Sequence, residues 1–153
     1  MKFGDVLKKE REKKGLSIDE TAQALKIAPD AYEALESGSS DIETWGPVLG
    51  EIAIKLETPT SRFISESGRA EDAGQHKVGD LVRGHRERRE LSVEAVAEAS
   101  GLSAEDYSSL EAGSSPTETY GPLLLHFAEL IEQPIFNLYY PCGLPFQELD
   151  DYP

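Results

Sequence analysis

Cysteine, long apolar runs and positive charge are all scarce in this 153-residue sequence. The single cysteine, Cys142, permits no internal disulfide, and with only three dispersed histidines it offers no metal-ligand spacing. The longest apolar run, GPLLLHFAELI, is interrupted by His126 and Glu129 and is too short to span a bilayer. No targeting segment is recognisable, because Met1 leads directly into a charged amphipathic stretch. These absences predict a cytoplasmic protein with no membrane contact, no metal and no other cofactor.

Residue patterns typical of catalysis are also missing. None of His76, His85 and His126 has a cysteine, serine or carboxylate at a spacing that suggests a catalytic pair. The stretch from Gly113 to Gly121 contains no lysine, so it does not resemble a glycine-rich phosphate loop. The sequence therefore predicts no catalytic residues and a protein that is not an enzyme.

The deficit of positive charge is concentrated in the second half of the chain. The formal net charge is −14, of which residues 1–64 contribute −3, residues 65–77 contribute −1 and residues 78–153 contribute −10. No lysine or arginine follows Arg89. Such a surface repels phosphates and favours basic partners.

The sequence contains an internal repeat. The stretch GSSDIETWGP at residues 38–47 returns as GSSPTETYGP at residues 113–122. An offset of 75 residues aligns Phe3–Ile64 with Val78–Tyr139 without a gap. The chain therefore consists of two copies of one unit.

This repeat divides the chain into four segments. The copies occupy residues 1–64 and 78–140, and they are joined by a small and polar stretch at 65–77 that we predict to be a solvated linker. The tail at 141–153 has no counterpart in the first copy. Its large apolar side chains are expected to dock on the second copy or on a partner, and they are Leu144, Phe146 and Tyr152.

Hydrophobic periodicity and capping signals predict helices throughout both copies. In LSIDETAQALK, Ser17 and Glu20 have the spacing of a capping box. In PDAYEALESG, Pro29 suits the first helical turn and Gly38 suits a left-handed position after the last turn. We therefore predict an all-α fold with five helices in each copy.

The repeated loop is predicted to end where the fourth helix begins. Pro47 and Pro122 are expected at the first helical position, and Trp45 and Tyr120 are expected either to cover the core or to anchor a partner. The fifth helix is PTSRFIS in the first copy and the more apolar PIFNLYY in the second. Its apolar residues predict a seam between the copies or a homodimer face, and they are Ile135, Phe136, Leu138 and Tyr139.

The order of these segments resembles the Cro/xenobiotic-response-element (XRE) helix-turn-helix family. The resemblance lies in the order of the segments: a first helix, then a segment with the pattern LS-x-x-E-x-A-x-x-L, then a four-residue turn. A helix ending in L-E-x-G and two further helices follow. It implies two tandem five-helix domains of the lambda-repressor-like type. It also implies structural ion pairs, since an arginine of the first helix commonly pairs with the glutamate of L-E-x-G; here these are Arg11 with Glu36 and Arg86 with Glu111.

The first copy also resembles the helix-turn-helix domain of RodZ proteins, which uses this fold to bind another protein. The similar residues are LSIDETAQALKI, AYEALESG and a Gly-Pro pair expected to open the next helix. Those proteins continue into a transmembrane helix, whereas this chain continues into a second copy. The resemblance therefore favours protein contacts by the motif and implies no cytoskeletal role.

The helices that would read DNA in this family carry acids and small residues here. No lysine or arginine lies between Ile27 and Ile54, and affinity for DNA normally depends on such cations. We therefore expect these helices to bind a protein partner with a basic surface rather than DNA. The residues concerned are Asp30, Glu33, Ser103, Glu105, Asp106 and Ser108.

Most remaining cations lie on the first helix of each copy. They are expected to form either a solvated face that balances the acids or a stripe that binds phosphates. The candidate stripe consists of Lys8, Lys9, Lys13, Arg83, Arg88 and Arg89.

Three functions remain open at the level of sequence. The first is a regulatory or adaptor protein that binds a basic protein partner through acidic surfaces. The alternative is a DNA-binding transcriptional regulator, and the further alternative is an inhibitor that mimics DNA. Two copies in one chain form a pseudo-dimer, and a homodimer of the whole chain is also open.

Overall fold

The computed structural model describes residues 2–68, 71 and 73–143, and it describes Phe136 without its side chain. The predicted docking of Leu144, Phe146 and Tyr152 lies outside the described residues, as does any contact of the Phe136 ring.

The described residues form ten helices and no strand. The first copy contains α1 (Phe3–Lys14), α2 (Ile18–Leu25), α3 (Pro29–Ser37), α4 (Ile42–Lys55) and α5 (Thr60–Ser65). The second copy contains α6 (Lys77–Arg88), α7 (Val93–Ser100), α8 (Ala104–Glu111), α9 (Thr117–Ile131) and α10 (Phe136–Tyr139), followed by a 3-10 turn at Tyr140–Cys142. The predicted all-α fold with two tandem five-helix units is confirmed.

Local signals in the sequence explain where α2 and α3 begin and end. The amide of Glu20 donates to Ser17 Oγ at 3.0 Å, and the amide of Ser17 donates to Glu20 Oε1 at 2.9 Å, so the predicted capping box is formed. Pro29 is the first residue of α3, and Gly38 ends it with a φ of 79°. Gly113 has the same conformation, with a φ of 80°. Glycine is favoured there because other side chains resist positive φ.

The prediction that Pro47 and Pro122 start the fourth helices is wrong. Helix α4 begins at Ile42 and α9 at Thr117, so each proline lies inside its helix. Serine hydroxyls of the repeated loop bring the start forward: Ser40 Oγ accepts from the Ile42 amide at 3.1 Å, and Ser115 Oγ accepts from the Thr117 amide at 3.2 Å.

The Gly-Pro pair inside each fourth helix allows close packing. A Cβ on Gly46 would overlap the ring of Phe3, so glycine lets α1 approach α4. Proline lacks the amide that would bond the carbonyl one turn earlier. In the second copy that carbonyl belongs to Glu118, and it accepts from the Gly74 amide at 3.2 Å.

The two copies interlock through their fifth helices and share one core. Tyr139 of α10 is fully buried against α1, with its ring edge-on to Phe3 at a centroid distance of 5.2 Å. Its hydroxyl donates to the Gly46 carbonyl at 3.0 Å. In the reciprocal arrangement, Phe63 of α5 is fully buried and its ring lies 6.2 Å from that of His85 on α6.

This exchange confirms one of the two predictions for PIFNLYY. Ile135, Leu138 and Tyr139 are buried within the common core, and Tyr139 forms a seam between the copies. Trp45 and Tyr120 are half-buried and pack against the same core, as the core alternative predicts. The copies therefore stabilise each other across a continuous apolar interior.

The segment between the copies is not solvated throughout. Ser67 is 1% exposed, and its hydroxyl donates to the Ile64 carbonyl at 2.6 Å. The prediction of a solvated linker is wrong at this residue because Ser67 packs beside Gly121 of α9. Residues 74–76 are exposed, as the linker prediction expects.

Candidate recognition surface

A buried ion pair ties α1 to the helix pair formed by α2 and α3. Arg11 donates from Nε to Glu36 Oε2 at 2.6 Å and from Nη2 to Glu36 Oε1 at 3.1 Å. Its remaining nitrogen, Nη1, donates to the Leu16 carbonyl at 2.8 Å, just before α2. The hydrogen bond to Glu36 raises the pKa of Arg11 above its ordinary value. One guanidinium therefore fixes the loop before α2 and the last turn of α3.

The second copy repeats this arrangement. Arg86 donates to Glu111 at 2.6 and 3.0 Å and to the Leu91 carbonyl at 3.1 Å. Burial alone would raise the pKa of Glu111, but the hydrogen bonds and charge of Arg86 outweigh burial and lower that pKa. Both pairs join the residues singled out in the sequence, and their planar two-point geometry gives directional strength to the contact.

A second pair of glutamates has a role that the sequence interpretation missed. Glu43 accepts from the amides of Phe3 and Gly4 at 3.3 and 2.9 Å, and Glu118 accepts from those of Val78 and Gly79 at 3.3 and 2.7 Å. Each carboxylate therefore caps the start of the first helix in its copy, where free amides and the helix dipole favour negative charge. The available signal was the retention of Glu-Thr in both versions of the repeated loop.

The outer face of α3 in the first copy is acidic. Asp30 and Glu33 are exposed, whereas Tyr32 and Leu35 of the same helix are buried. Tyr32 packs on Phe127 of α9, with ring centroids 6.5 Å apart. Helix α3 is thus held by its inner face and presents its carboxylates to solvent.

The equivalent helix α8 is acidic at its start. Glu105 and Asp106 occupy its first turn and are exposed, as is Ser108. Ser103 is the N-cap, and its hydroxyl accepts from the Asp106 amide at 3.1 Å. The two carboxylates stabilise the helix dipole but repel a phosphate approaching this end.

The candidate basic stripe is largely exposed, and several of its members contact neighbouring groups. Lys8, Lys9 and Lys13 are exposed on α1. Lys13 Nζ donates to Glu10 Oε1 at 3.4 Å, Arg83 donates to the Glu111 carbonyl at 2.9 Å, and Arg88 and Arg89 each lie 3.1 Å from His85 Nδ1. Five of the six cations are therefore exposed, and Arg89 alone is half-buried.

The remaining titratable groups show features of packing. His85 is 7% exposed, and burial together with the charges of Arg88 and Arg89 lowers its pKa. Burial raises the pKa of Cys142 to about 11, so the thiol stays protonated at neutral pH. Within the described part of the chain, no group of three or more potential ligands could hold a metal ion. None of the described helices combines the length and apolarity needed to cross a membrane.

Comparisons with known proteins identify the domain type. A family model described as a helix-turn-helix domain matches residues 6–42, and a second model with the same description matches residues 77–124. No curated protein and no solved structure matches the chain. These matches do not distinguish the RodZ type from other helix-turn-helix domains, so the resemblance of the first copy to RodZ proteins stays a prediction. In each copy the matched residues include the helix pair that the Arg-Glu contacts hold together, and the chain therefore contains two helix-turn-helix domains in tandem.

Proposed function

We propose that this protein is a non-enzymatic transcriptional regulator that binds double-stranded DNA through its tandem helix-turn-helix domains. The observation that carries the proposal is the match of both copies to helix-turn-helix models, a domain type characteristic of DNA-binding regulators. The geometry supports it, because Arg11 and Arg86 hold the second motif helix of each domain with its outer face exposed. We take residues 1–64 and 78–140 as the two domains.

The charges set limits on the strength of this binding. Acids on α3 and α8 repel phosphates, so the affinity must come from cations elsewhere. Lys8, Lys9 and Lys13 are exposed and can supply it. Three phosphate contacts correspond to a slope of about −3 in log K against log salt concentration, because each neutralised phosphate contributes about −0.9. We therefore expect modest, salt-sensitive binding.

Fluorescence anisotropy with the DNA upstream of the protein's own gene tests this proposal. At about 0.15 M salt, near physiological ionic strength, the upstream duplex should bind more tightly than a shuffled duplex of equal composition. Replacement of Lys8, Lys9 and Lys13 by alanine should flatten the salt dependence, whereas the control Lys55→Ala on α4 should retain it. Equal binding of both duplexes, or no binding, would contradict the proposal.

The acidic outer helices favour a second candidate function. Asp30, Glu33, Glu105 and Asp106 are all exposed, and a surface of this sign suits a protein partner with a basic surface. In this candidate the protein is an adaptor, and the two motifs keep their framework while contacting protein. A homodimer of the chain also stays a prediction.

Affinity capture from the native cells separates the two candidates. An adaptor should recover one stoichiometric protein whether or not the lysate is treated with nuclease. A DNA-binding regulator should lose its co-purifying proteins when nucleic acid is digested. Replacing Asp30 with Asn and Glu33 with Gln should weaken binding of the protein partner. The same replacement should strengthen non-specific DNA binding, because it removes the repulsion between these carboxylates and the phosphates.

A further inference from the structure

An open groove lies between α3 of the first copy and α9 of the second. Its volume is about 350 Å³, and its walls are mostly apolar. Ala31, Ala34 and Leu35 form one wall, Tyr120 and Leu123 form the other, and Asp41 lies at its edge. This volume is within the usual range of sites that enclose small ligands or side chains.

The groove is preformed by small residues and by contacts across the copies. Ala31 is exposed and Ala34 is half-buried, whereas the aligned positions on α8 carry Asp106 and Ser109. The Tyr120 hydroxyl and the Ser40 hydroxyl share a hydrogen bond of 2.9 Å, which fixes the aromatic wall. Because the fold keeps both walls in place, an occupant would not have to open them.

Acidic residues adjoin this apolar groove. Asp30 and Glu33 adjoin Ala31 and Ala34 in sequence and are exposed, and Asp41 is exposed at the groove itself. Two cations lie near these acids: Lys26 beside Ile27, and Lys2, whose side chain lies against Gly38 next to Ser39. The surroundings therefore favour a positively charged occupant and disfavour nucleic acid.

We propose that this groove binds a peptide segment of a protein partner that inserts one large apolar side chain flanked by lysine or arginine. The apolar side chain lies between Ala34 and Tyr120, and the flanking cations face Asp30, Glu33 and Asp41. Removal of an apolar side chain from water supplies the affinity, and the acids select the sign of the flanking residues. This inference is independent of DNA binding by α1; it gives the adaptor candidate a site and rests on that candidate.

Selection from a random nonapeptide display library provides the probe. Peptides are selected on the full chain, and the enriched ones are synthesised and titrated by NMR, with amide shifts used to locate binding. We expect an enriched pattern of one large apolar residue with neighbouring lysine or arginine, and shifts at Ala31, Ala34 and Tyr120. Enrichment of acidic peptides, of peptides without an apolar residue, or of none would overturn the proposal.

Filling the groove gives the decisive comparison. Ala34→Trp should lower the affinity for the selected peptide about tenfold or more, which corresponds to about 1.4 kcal/mol of binding free energy. The same substitution at the aligned position, Ser109→Trp, should leave binding within about twofold. If Ala34→Trp does not fold, Ala31→Gln with its counterpart Asp106→Gln repeats the comparison at exposed positions.

The outcomes also separate the groove from the broader adaptor candidate. A peptide that binds Ala34→Trp as well as it binds the unaltered chain, but loses affinity when Asp30 and Glu33 are neutralised, would overturn the groove and retain the acidic partner surface. A peptide that keeps its affinity both for Ala34→Trp and for the variant with Asp30 and Glu33 neutralised would overturn the groove and the acidic partner surface together.

Discussion

Replacement of Tyr139 by alanine should destabilise both copies, although the residue belongs to the second. Tyr139 is fully buried, its ring contacts Phe3, and its hydroxyl bonds the Gly46 carbonyl. Truncating a buried aromatic side chain costs about 3–5 kcal/mol. The lost hydrogen bond to the Gly46 carbonyl and the lost aromatic contact lie within that range of effects. We therefore expect a loss of about 4 kcal/mol in the free energy of unfolding.

The unique tryptophan allows the first copy to be followed separately. Trp45 is the only tryptophan and lies on α4, so its fluorescence reports on the first copy, while circular dichroism reports on all helices. With a urea dependence of about 2 kcal/mol per molar, a loss of about 4 kcal/mol lowers the midpoint by about 2 M. Both signals should shift by this amount.

Tyr140→Ala is the matched control, because the neighbouring ring is 68% exposed and its removal leaves no internal cavity. Its free energy of unfolding should change by less than about 0.5 kcal/mol. A Tyr139→Ala protein whose circular dichroism transition moves while the Trp45 transition stays in place would refute the shared core.

Three other predictions concern buried carboxylates and a histidine. Glu118→Ala should cost about 1–3 kcal/mol in urea unfolding, because it leaves the capped amides of α6 unsatisfied. Glu111→Gln should cost about 3–5 kcal/mol by breaking the pair with Arg86. Because the folded pKa of Glu111 is lowered, the carboxylate stabilises the fold above its unfolded pKa of about 4.3, and this contribution is lost as pH falls through the folded pKa. The free energy of unfolding of Glu111→Gln should therefore decline less steeply in acid. The folded pKa of His85 is also lowered, chiefly by burial, so the free energy of unfolding should decline as pH falls below about 6.5. His85→Gln should remove that decline in unfolding measured across pH. An unchanged decline would contradict the assignment of this pH dependence to His85.

The helices and their order were accessible from the sequence because their signals are local. The capping box at Ser17 and Glu20, the proline at the start of α3 and the glycine at its end each act within one turn of the chain. The repeat then transferred the same assignment to the second copy. The starts of α4 and α9 were missed because the conspicuous Gly-Pro pair drew the prediction past Ser40 and Ser115, whose hydroxyls accept from the first helical amides.

Contacts between the copies were less accessible. Periodicity identifies an apolar face but not the helix that covers it, so PIFNLYY left a seam and a homodimer face equally open. The groove beside Ala31 and Ala34 was missed for a related reason, since small side chains give no signal until α9 is placed opposite them. The acidic residues on α3 and α8 were recognisable, and their function stays a proposal.

The exchange of fifth helices also affects how the protein can be made. Phe3 is synthesised 136 residues before its aromatic neighbour Tyr139. One side of α1 therefore stays uncovered until Tyr139 has been synthesised, and contacts this distant in sequence slow folding. The nascent first copy must remain soluble while its neighbour is still being assembled, and its abundance of charged side chains on α1 is well suited to that interval.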